Sequence, residues 1–401
     1  MTRSLRRPSR RAMRGFSLVE LMVAAGLAMV VLATGLVVGV QFQRMGSFEE
    51  QTMAAQNIQR AVRESLVMDM QRAGAGTGSG RINFGGDGSG GSDYRYAVHV
   101  ETNAAFSDPG FSGPTGAYAG LVSDALMFVS GNVRQMVELD ACQGAGGRSR
   151  SGSNACVRTP PPPTLNGKTV VFVNPTLAVS CLHRVTHLPG DNKVQTNPGQ
   201  NNNPPPSSEP CNEANGNFWS TPGGYVMEVE TWGYRVNWVP HPTDATRREP
   251  VLEYDPPGSD SWQLLSRDVE QLKVRMGVSH PADPSVLLWF PDAVAGRPAL
   301  DSCTDLTCGG FVDDVGDYTP LDLPAGDPER ARDALMRRVR FVEVTLVTRS
   351  QRADADRVVR SGTGFAVDEE GNLRDGYRRR RMTFRVSPRN FPLAGLGSVT
   401  P

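Results

Sequence analysis

The sequence predicts an α+β fold: a long N-terminal α-helix packed on an antiparallel β-sheet, with enlarged, disulfide-stapled loops. Three observations lead there. A proline-free stretch from Phe16 to Ala73 keeps its apolar residues largely on helical spacing. Later segments are rich in β-branched and aromatic residues, and many of them alternate. The 401 residues include 43 Gly and 30 Pro with 39% hydrophobic residues, which favours turns and long loops over a helical bundle.

The N-terminal element begins with charge. The protein has 42 Lys and Arg against 42 Asp and Glu, a balance that argues against an electrostatic nucleic-acid binder. Residues 1–15 hold six Arg and no acid, so the remainder has 36 basic against 42 acidic groups. A basic tip ahead of an apolar run has the form of a targeting signal. From Phe16 to Val40 the only ionisable group is Glu20, and this stretch is long enough to span a bilayer as a helix. The arginines should hold the N-terminal end in the cytoplasm and send everything after Val40 across the membrane. An ordinary secretory signal has a shorter apolar core of about 7–15 residues and a small-residue cleavage site. The late candidate here, around Ala33 and Gly35, is a poor one.

After Val40, Phe42, Met45, Phe48, Ala55, Ile58, Val62, Leu66, Met70 and Ala73 form one amphipathic face. The whole span would make one helix of about 58 residues, roughly 87 Å long, whose second half lies on its own domain's sheet. The expected organisation is a leader over 1–15, a transmembrane half-helix over 16–40, an amphipathic half-helix over 41–73 and an exported β-rich domain over 74–401.

A carboxylate within a membrane segment costs about 2.5–3.5 kcal/mol on insertion scales, so Glu20 needs a partner. A cut between Gly15 and Phe16 would make Glu20 the fifth residue of the mature protein. It would then stand one helical turn from the new Phe16 amine, and an adjacent subunit's amine could neutralise it. The residues RGFSLVELMVA, Arg14 to Ala24, resemble the signal of type IV prepilins and pseudopilins. That resemblance implies cleavage after Gly15 by a membrane prepilin peptidase, N-methylation of Phe16, and a subunit-docking role for Glu20.

The predicted strands are Tyr96–Val100, Ala125–Val133, Lys168–Asn174, Tyr225–Val239, Leu272–Val278, Val339–Arg349 and Arg380–Val386. Leu272, Val274, Met276 and Val278 share one face, as do Val342, Val344 and Leu346. The glycine run Gly74–Gly80 follows a helix rather than a strand, so it reads as helix termination and flexible linker, not as a dinucleotide fingerprint. The proline-rich stretches Thr159–Thr164 and Pro198–Pro210 suit exposed loops. In order, Glu64–Gly76, Leu264–Val278, Phe341–Ser350 and the closing Arg378–Asn390 are similar to PilW-type minor pilins. This last segment ends in Pro388, Arg389, Asn390 where that family usually has Leu-Arg-Asn. The region Gly80–Pro222 is also larger than most minor pilins carry.

Cys142, Cys156, Cys181, Cys211, Cys303 and Cys308 all lie on the exported side with no C-x-x-C spacing, which points to disulfides rather than zinc. Six cysteines allow fifteen pairings. Closing the shortest loops would join Cys142 with Cys156, Cys181 with Cys211, and Cys303 with Cys308. His183 and His187 have metalloprotease spacing, but Arg184 occupies the place of the catalytic Glu. Gly85–Asp93 and Asp313–Asp317 are acidic turns; Asp313, Asp314 and Asp317 are the better candidate calcium ligands, since some pseudopilins bind calcium in loops. The run Arg378–Arg381 reads as the polar face of a strand whose other face carries Met382 and Phe384. Its sharper reading is an interface for acidic residues of a neighbouring subunit. No nucleophile elbow, P-loop or H-E-x-x-H occurs, so no enzyme is expected.

The resemblance implies a minor pilin that primes and caps a type IV pilus. It would be stored in the inner membrane with its N-terminus cytoplasmic and then enter the periplasm and the extracellular filament, at the tip. Implied partners are other minor pilins, the major pilin, prepilin peptidase, the inner-membrane assembly platform and a tip adhesin. Two alternatives stand beside it: a minor pseudopilin of a type II secretion system, and a pilus-tip adhesin using residues 80–222.

Overall fold

The computed structural model describes residues 17–86, 91–151, 153–174, 179–198, 211–212, 223–259, 261–312, 327 and 329–391. By contacts the protein divides into Met1–Ala54 and Ala55–Pro401. Helix α1 spans Leu18–Arg72, 55 residues. Within the first unit its large apolar side chains from Leu18 to Val40 are exposed, as are Phe42 and Met45. Within the second, Ala55, Val62, Leu66, Met70 and Ala73 are buried. Among the described side chains, the amphipathic stripe read from sequence is therefore buried from Ala55 onward. Burying each large side chain of this face contributes about 1.5–3 kcal/mol, an upper estimate.

The strands follow. They are β1 (Arg81–Gly86), β2 (Ser92–Arg95), β3 (Val98–Glu101), β4 (Ala125–Gly131), β5 (Val137–Glu138), β6 (Arg150–Ser151), β7 (Asn154–Cys156), β8 (Thr169–Asn174), β9 (Val179–Gly190) and β10 (Lys193–Pro198). Beyond them come β11 (Tyr225–His241), β12 (Asp244–Asp255), β13 (Gln263–Arg267), β14 (Val269–Ser279), β15 (Leu287–Phe290), β16 (Val339–Arg349), the hairpin β17 (Arg360–Ser361) and β18 (Gly364–Phe365), and β19 (Arg379–Val386). Short helices α2 (Asp305–Cys308) and α3 (Arg330–Arg337) sit between β15 and β16.

Among the described residues, β1–β13 form one large sheet with the central path β13-β12-β11-β8-β9-β10-β7-β6. Long β11 organises it: Tyr225–Glu228 pair with β8, Val229–Tyr234 with β4 and Gly233–His241 with β12. The second sheet runs β15-β14-β16-β19. Among the described residues the strand pairings are antiparallel except β1 with β9, where Arg81 to Asn83 align in parallel with Val179 to Cys181. On the second sheet the alternation read from sequence holds, with Leu272, Val274 and Met276 opposite Leu346, Val344 and Val342. Gly277 lets the Trp289 ring pack closely there: a Cβ would meet it at 3.0 Å and press it aside by a few tenths of an ångström.

One core joins α1 to both sheets: Val62, Leu66 and Met70 pack with Trp232, Tyr234, Val274, Leu346, Phe384 and Phe391. A separate cluster joins Val137, Leu165, Phe172, Val185 and Val194 of the enlarged region to Val226 of β11. The described part of that region thus carries ten strands, β1–β10, where the sequence predicts three. The Gly74–Gly80 stretch also departs from a flexible linker. Gly74 N–H donates to Val129 O at 2.9 Å and Gly131 N–H to Ala75 O at 2.8 Å, while Tyr225 Oη donates to Gly76 O at 2.8 Å. The glycines supply positive φ, +77° at Gly74, and the turn is tied to sheet backbone on both sides.

Candidate assembly segment

The apolar helix starts with a reciprocal cap. Ser17 N–H donates to Glu20 Oε2 at 3.0 Å, and Glu20 N–H donates to Ser17 Oγ at 3.2 Å. This is a capping box, which satisfies two orphan donors of the first turn and places a carboxylate at the positive end of the helix dipole. The sequence reading assigned Glu20 a role and Ser17 none, although the S-x-x-E spacing that signals such a box is present in the residues themselves. Glu20 Oε1 has no partner among the described residues, so the carboxylate keeps acceptor capacity for a second donor. Gly15 and Phe16 lie outside the described residues.

Leu18–Gln43 has a mean hydropathy of 2.5 with none of its residues buried. Its Thr34 hydroxyl lies 2.9 Å from Val30 O and 2.9 Å from Val31 O, which removes a bare polar group from the apolar surface. What the segment offers chemically is association: a helix long and apolar enough for a bilayer, with one carboxylate presented at its start.

The other end of α1 is held by the last residues of the fold. Asn390 Nδ2 donates to Ala73 O at 2.9 Å and reaches Arg72 O at 3.3 Å and Gln71 O at 3.4 Å, while Phe391 is fully buried. Through its amide, Asn390 caps the C-terminal carbonyls that the helix leaves unpaired, and no local sequence signal marks that role. Between these anchors Tyr234 Oη donates to Asp69 Oδ2 at 2.6 Å. Burial pushes the Asp69 carboxyl above its ordinary pKa, opposed by that hydrogen bond and by Arg72.

The other sequence candidates fall elsewhere. Disulfides join Cys142 with Cys156, Cys181 with Cys211 and Cys303 with Cys308. The first two staple the enlarged region, and the third closes across α2. His183 and His187 sit on β9, four residues apart on a strand, roughly 13 Å along it. His183 is buried, edge-on to Phe172 and 3.2 Å from Arg150 Nη1, whereas His187 is exposed. No group of three or more potential metal-ligating side chains occurs among the described residues. Asp313, Asp314 and Asp317 lie outside them.

The arginine run corrects the sequence reading. Arg379 is not on a solvent face. Its guanidinium is buried between Glu270 and Asp375, with Nε–Oε2 at 2.5 Å, Nη2–Oε1 at 2.8 Å and Nη1–Oδ1 at 2.8 Å. Burial opposes its charge, but the two carboxylates hold its pKa above the ordinary guanidinium value. Arg380 and Arg381 are exposed. A cleft of about 400 Å³, counting its open mouth, lies among Tyr96, His99, Phe290, Asp301 and Arg332. Burial, then Arg95 and Arg332, press His99 down to about 4, so its imidazole is neutral at pH 7.

Residues 10–36 match the family model described as the prokaryotic N-terminal methylation motif. No curated protein and no solved structure matches this sequence. The motif implies processing by prepilin peptidase in a pilus-assembly context, and with the apolar helix it supports membrane anchoring. Joined to the mixed α+β architecture, these findings support a type IV pilin- or pseudopilin-like protein.

Proposed function

We propose that this protein is a non-catalytic minor pilin of PilW type that primes and caps a type IV pilus. It waits in the inner membrane with its N-terminus cytoplasmic, loses residues 1–15 by cleavage after Gly15, and is methylated on Phe16. It then enters the filament by pairing Glu20 with a neighbouring subunit's amine, working with the major pilin, other minor pilins and the assembly platform. The observation that carries this reading is the methylation motif over residues 10–36 running directly into an unburied apolar helix. Glu20 Oε1, which has no partner among the described residues, supports the docking role.

The test is the N-terminal mass of the protein recovered from sheared surface filaments, for the wild type and for Glu20→Ala. The expected mature form starts at methylated Phe16, and the variant is inserted and cleaved but absent from filaments. A protein found only in membranes with Met1–Gly15 intact, or cut near Gly35, would refute the pilin reading. Normal incorporation of Glu20→Ala would refute the docking role.

One observation favours a second activity on the same subunit. The enlarged region carries two disulfides and most of a second apolar cluster, which suits a rigid surface that binds as a tip adhesin. Its β4 and β8 pair with β11, and its Tyr96, Leu126 and Phe128 belong to the core that packs α1. The test therefore substitutes exposed residues of β9 rather than deleting the region, and this should abolish attachment while leaving piliation intact. The type II secretion reading shares the same signal, and neighbouring genes distinguish it.

A further inference from the structure

We infer that the edge formed by β19 and the facing turns of α1 is a docking strip for an acidic surface of a neighbouring subunit in the filament. This inference rests on the proposed role as a filament subunit. Among the described residues strand β19 pairs only with β16, so its other side is a sheet edge. Helix α1 runs along it: Gln59 Nε2 donates to Arg380 O at 3.0 Å, and the Arg63 guanidinium lies 5.8 Å from the Phe384 ring centroid. This brings Arg60 and Arg63 beside Arg380, all three exposed, while Arg381 alternates with Thr383 and Arg385 onto the opposite face of β19. None of Arg60, Arg63 and Arg380 has a carboxylate partner among the described residues.

That gathering is unusual in this protein. Outside residues 1–15 acids exceed bases, 42 to 36, and on the same sheet Arg275 and Arg385 share Glu343 at 3.5 and 2.8 Å. Arg379 is drawn inward by two carboxylates, yet the adjoining edge is left cationic, with Glu64 the one acid on the same turn of α1. Guanidinium groups match carboxylates in a bidentate fork. A polyanion such as nucleic acid or an anionic membrane would meet the repulsion of the net-acidic remainder, whereas a few carboxylates on a protein surface can pair with these arginines locally.

The experiment uses the full-length protein in cells. Arg60, Arg63 and Arg380 are all changed to Glu, or all to Lys. Leader cleavage, closure of the three disulfides and recovery in sheared filaments are followed. The Glu variant should be cleaved and disulfide-closed but fall at least about tenfold in filaments, equivalent to about 1.4 kcal/mol. The Lys variant should remain close to wild type. Basic substitutions of acidic residues on a neighbouring subunit should restore the Glu variant. If disulfides fail to close in the threefold variant, R60E/R63E and R380E are read separately. Incorporation of the Glu variants at wild-type level would overturn the strip, leaving the arginines as guards of a sheet edge. So would unchanged incorporation with lost binding to phosphatidylglycerol vesicles or to duplex DNA, which would assign the strip to a polyanion. Wild-type protein absent from filaments would instead remove the filament reading and this inference with it.

Discussion

Replacing Arg379 with Met tests whether the buried arginine holds the second sheet together. The guanidinium makes two bonds to Glu270 and two to Asp375, and a fifth to Leu373 O at 2.8 Å. The Arg379 side chain is 3% exposed and both carboxylates are 0% exposed. Without it, the Glu270 carboxylate has no hydrogen-bond donor among the described residues, and Asp375 keeps the Tyr377 N–H at 3.1 Å. Leaving a buried partner uncompensated costs about 3–5 kcal/mol, a large share of the about 5–15 kcal/mol that holds a domain folded. The assay is urea unfolding of the full-length protein in mild detergent with disulfides intact, followed by tryptophan fluorescence, since Trp232 and Trp238 are buried. Removing all three charges together, as R379M/E270L/D375L, should recover most of the loss, because the desolvation penalty goes with them. Arg380→Met and Arg381→Met should each change stability by less than about 0.5 kcal/mol. A loss below about 1 kcal/mol for Arg379→Met, the range of a solvated pair, would refute the buried-network argument.

Further outcomes follow from the same reasoning. His99 is pressed from 6.5 to about 4 in the folded state, so the unfolded state binds more protons between those values. Stability should therefore be complete above about pH 6.5 and fall by up to about 3 kcal/mol as pH drops toward 4; His99→Gln should flatten that part of a pH series of urea midpoints. Asn390→Ala should cost about 1–2 kcal/mol by stripping a donor from the last turn of α1, and Asn390→Asp should cost more, because a carboxylate cannot donate and meets the negative end of the helix dipole. Hydrogen exchange at Met70–Ala73 reads both. Replacing Cys181 and Cys211 by Ser, a separation of 30 residues, should lower stability by about 3–4 kcal/mol in the chain-entropy account. The same change at Cys303 and Cys308, 5 apart, should cost about 2 kcal/mol.

What could be read from sequence was whatever local chemistry decides. The apolar run fixes α1, the alternation in Leu272–Val278 and Val339–Arg349 gives two paired strands their inward faces, and proline keeps Thr159–Thr164 out of a sheet. The remainder depends on partners far away along the backbone. Strands β9 and β12 carry too many polar and charged residues to alternate cleanly, and they become strands because β8 and β11 present edges to pair with. The glycines after α1 read as a linker because nothing local shows that Val129 and Tyr225 will bind their backbone. Arg379 differs from its arginine neighbours only in what faces it, Glu270 from one strand and Asp375 from a turn, 109 and 4 residues away.

The candidate site divides along the same line. Glu20 is legible because its cost in a membrane segment is a property of one residue in a run, and Ser17 because a capping box lies within one helical turn. The arginine run itself suggests an interface, but the cap by Asn390 and the place of Arg60 and Arg63 beside Arg380 are illegible because each is a relation between α1 and the closing segment, more than 300 positions apart. That relation bears on assembly directly. The helix whose start carries Glu20 is seated, from Ala55 onward, against the last described strand and the residues after it: Gln59 on Arg380, Arg63 on Phe384 and Ala73 on Asn390. A change at the C-terminal end can therefore loosen the second half of α1 without touching Glu20. Filament defects from such changes should come with lost helix protection, whereas defects from Glu20→Ala should leave that protection intact.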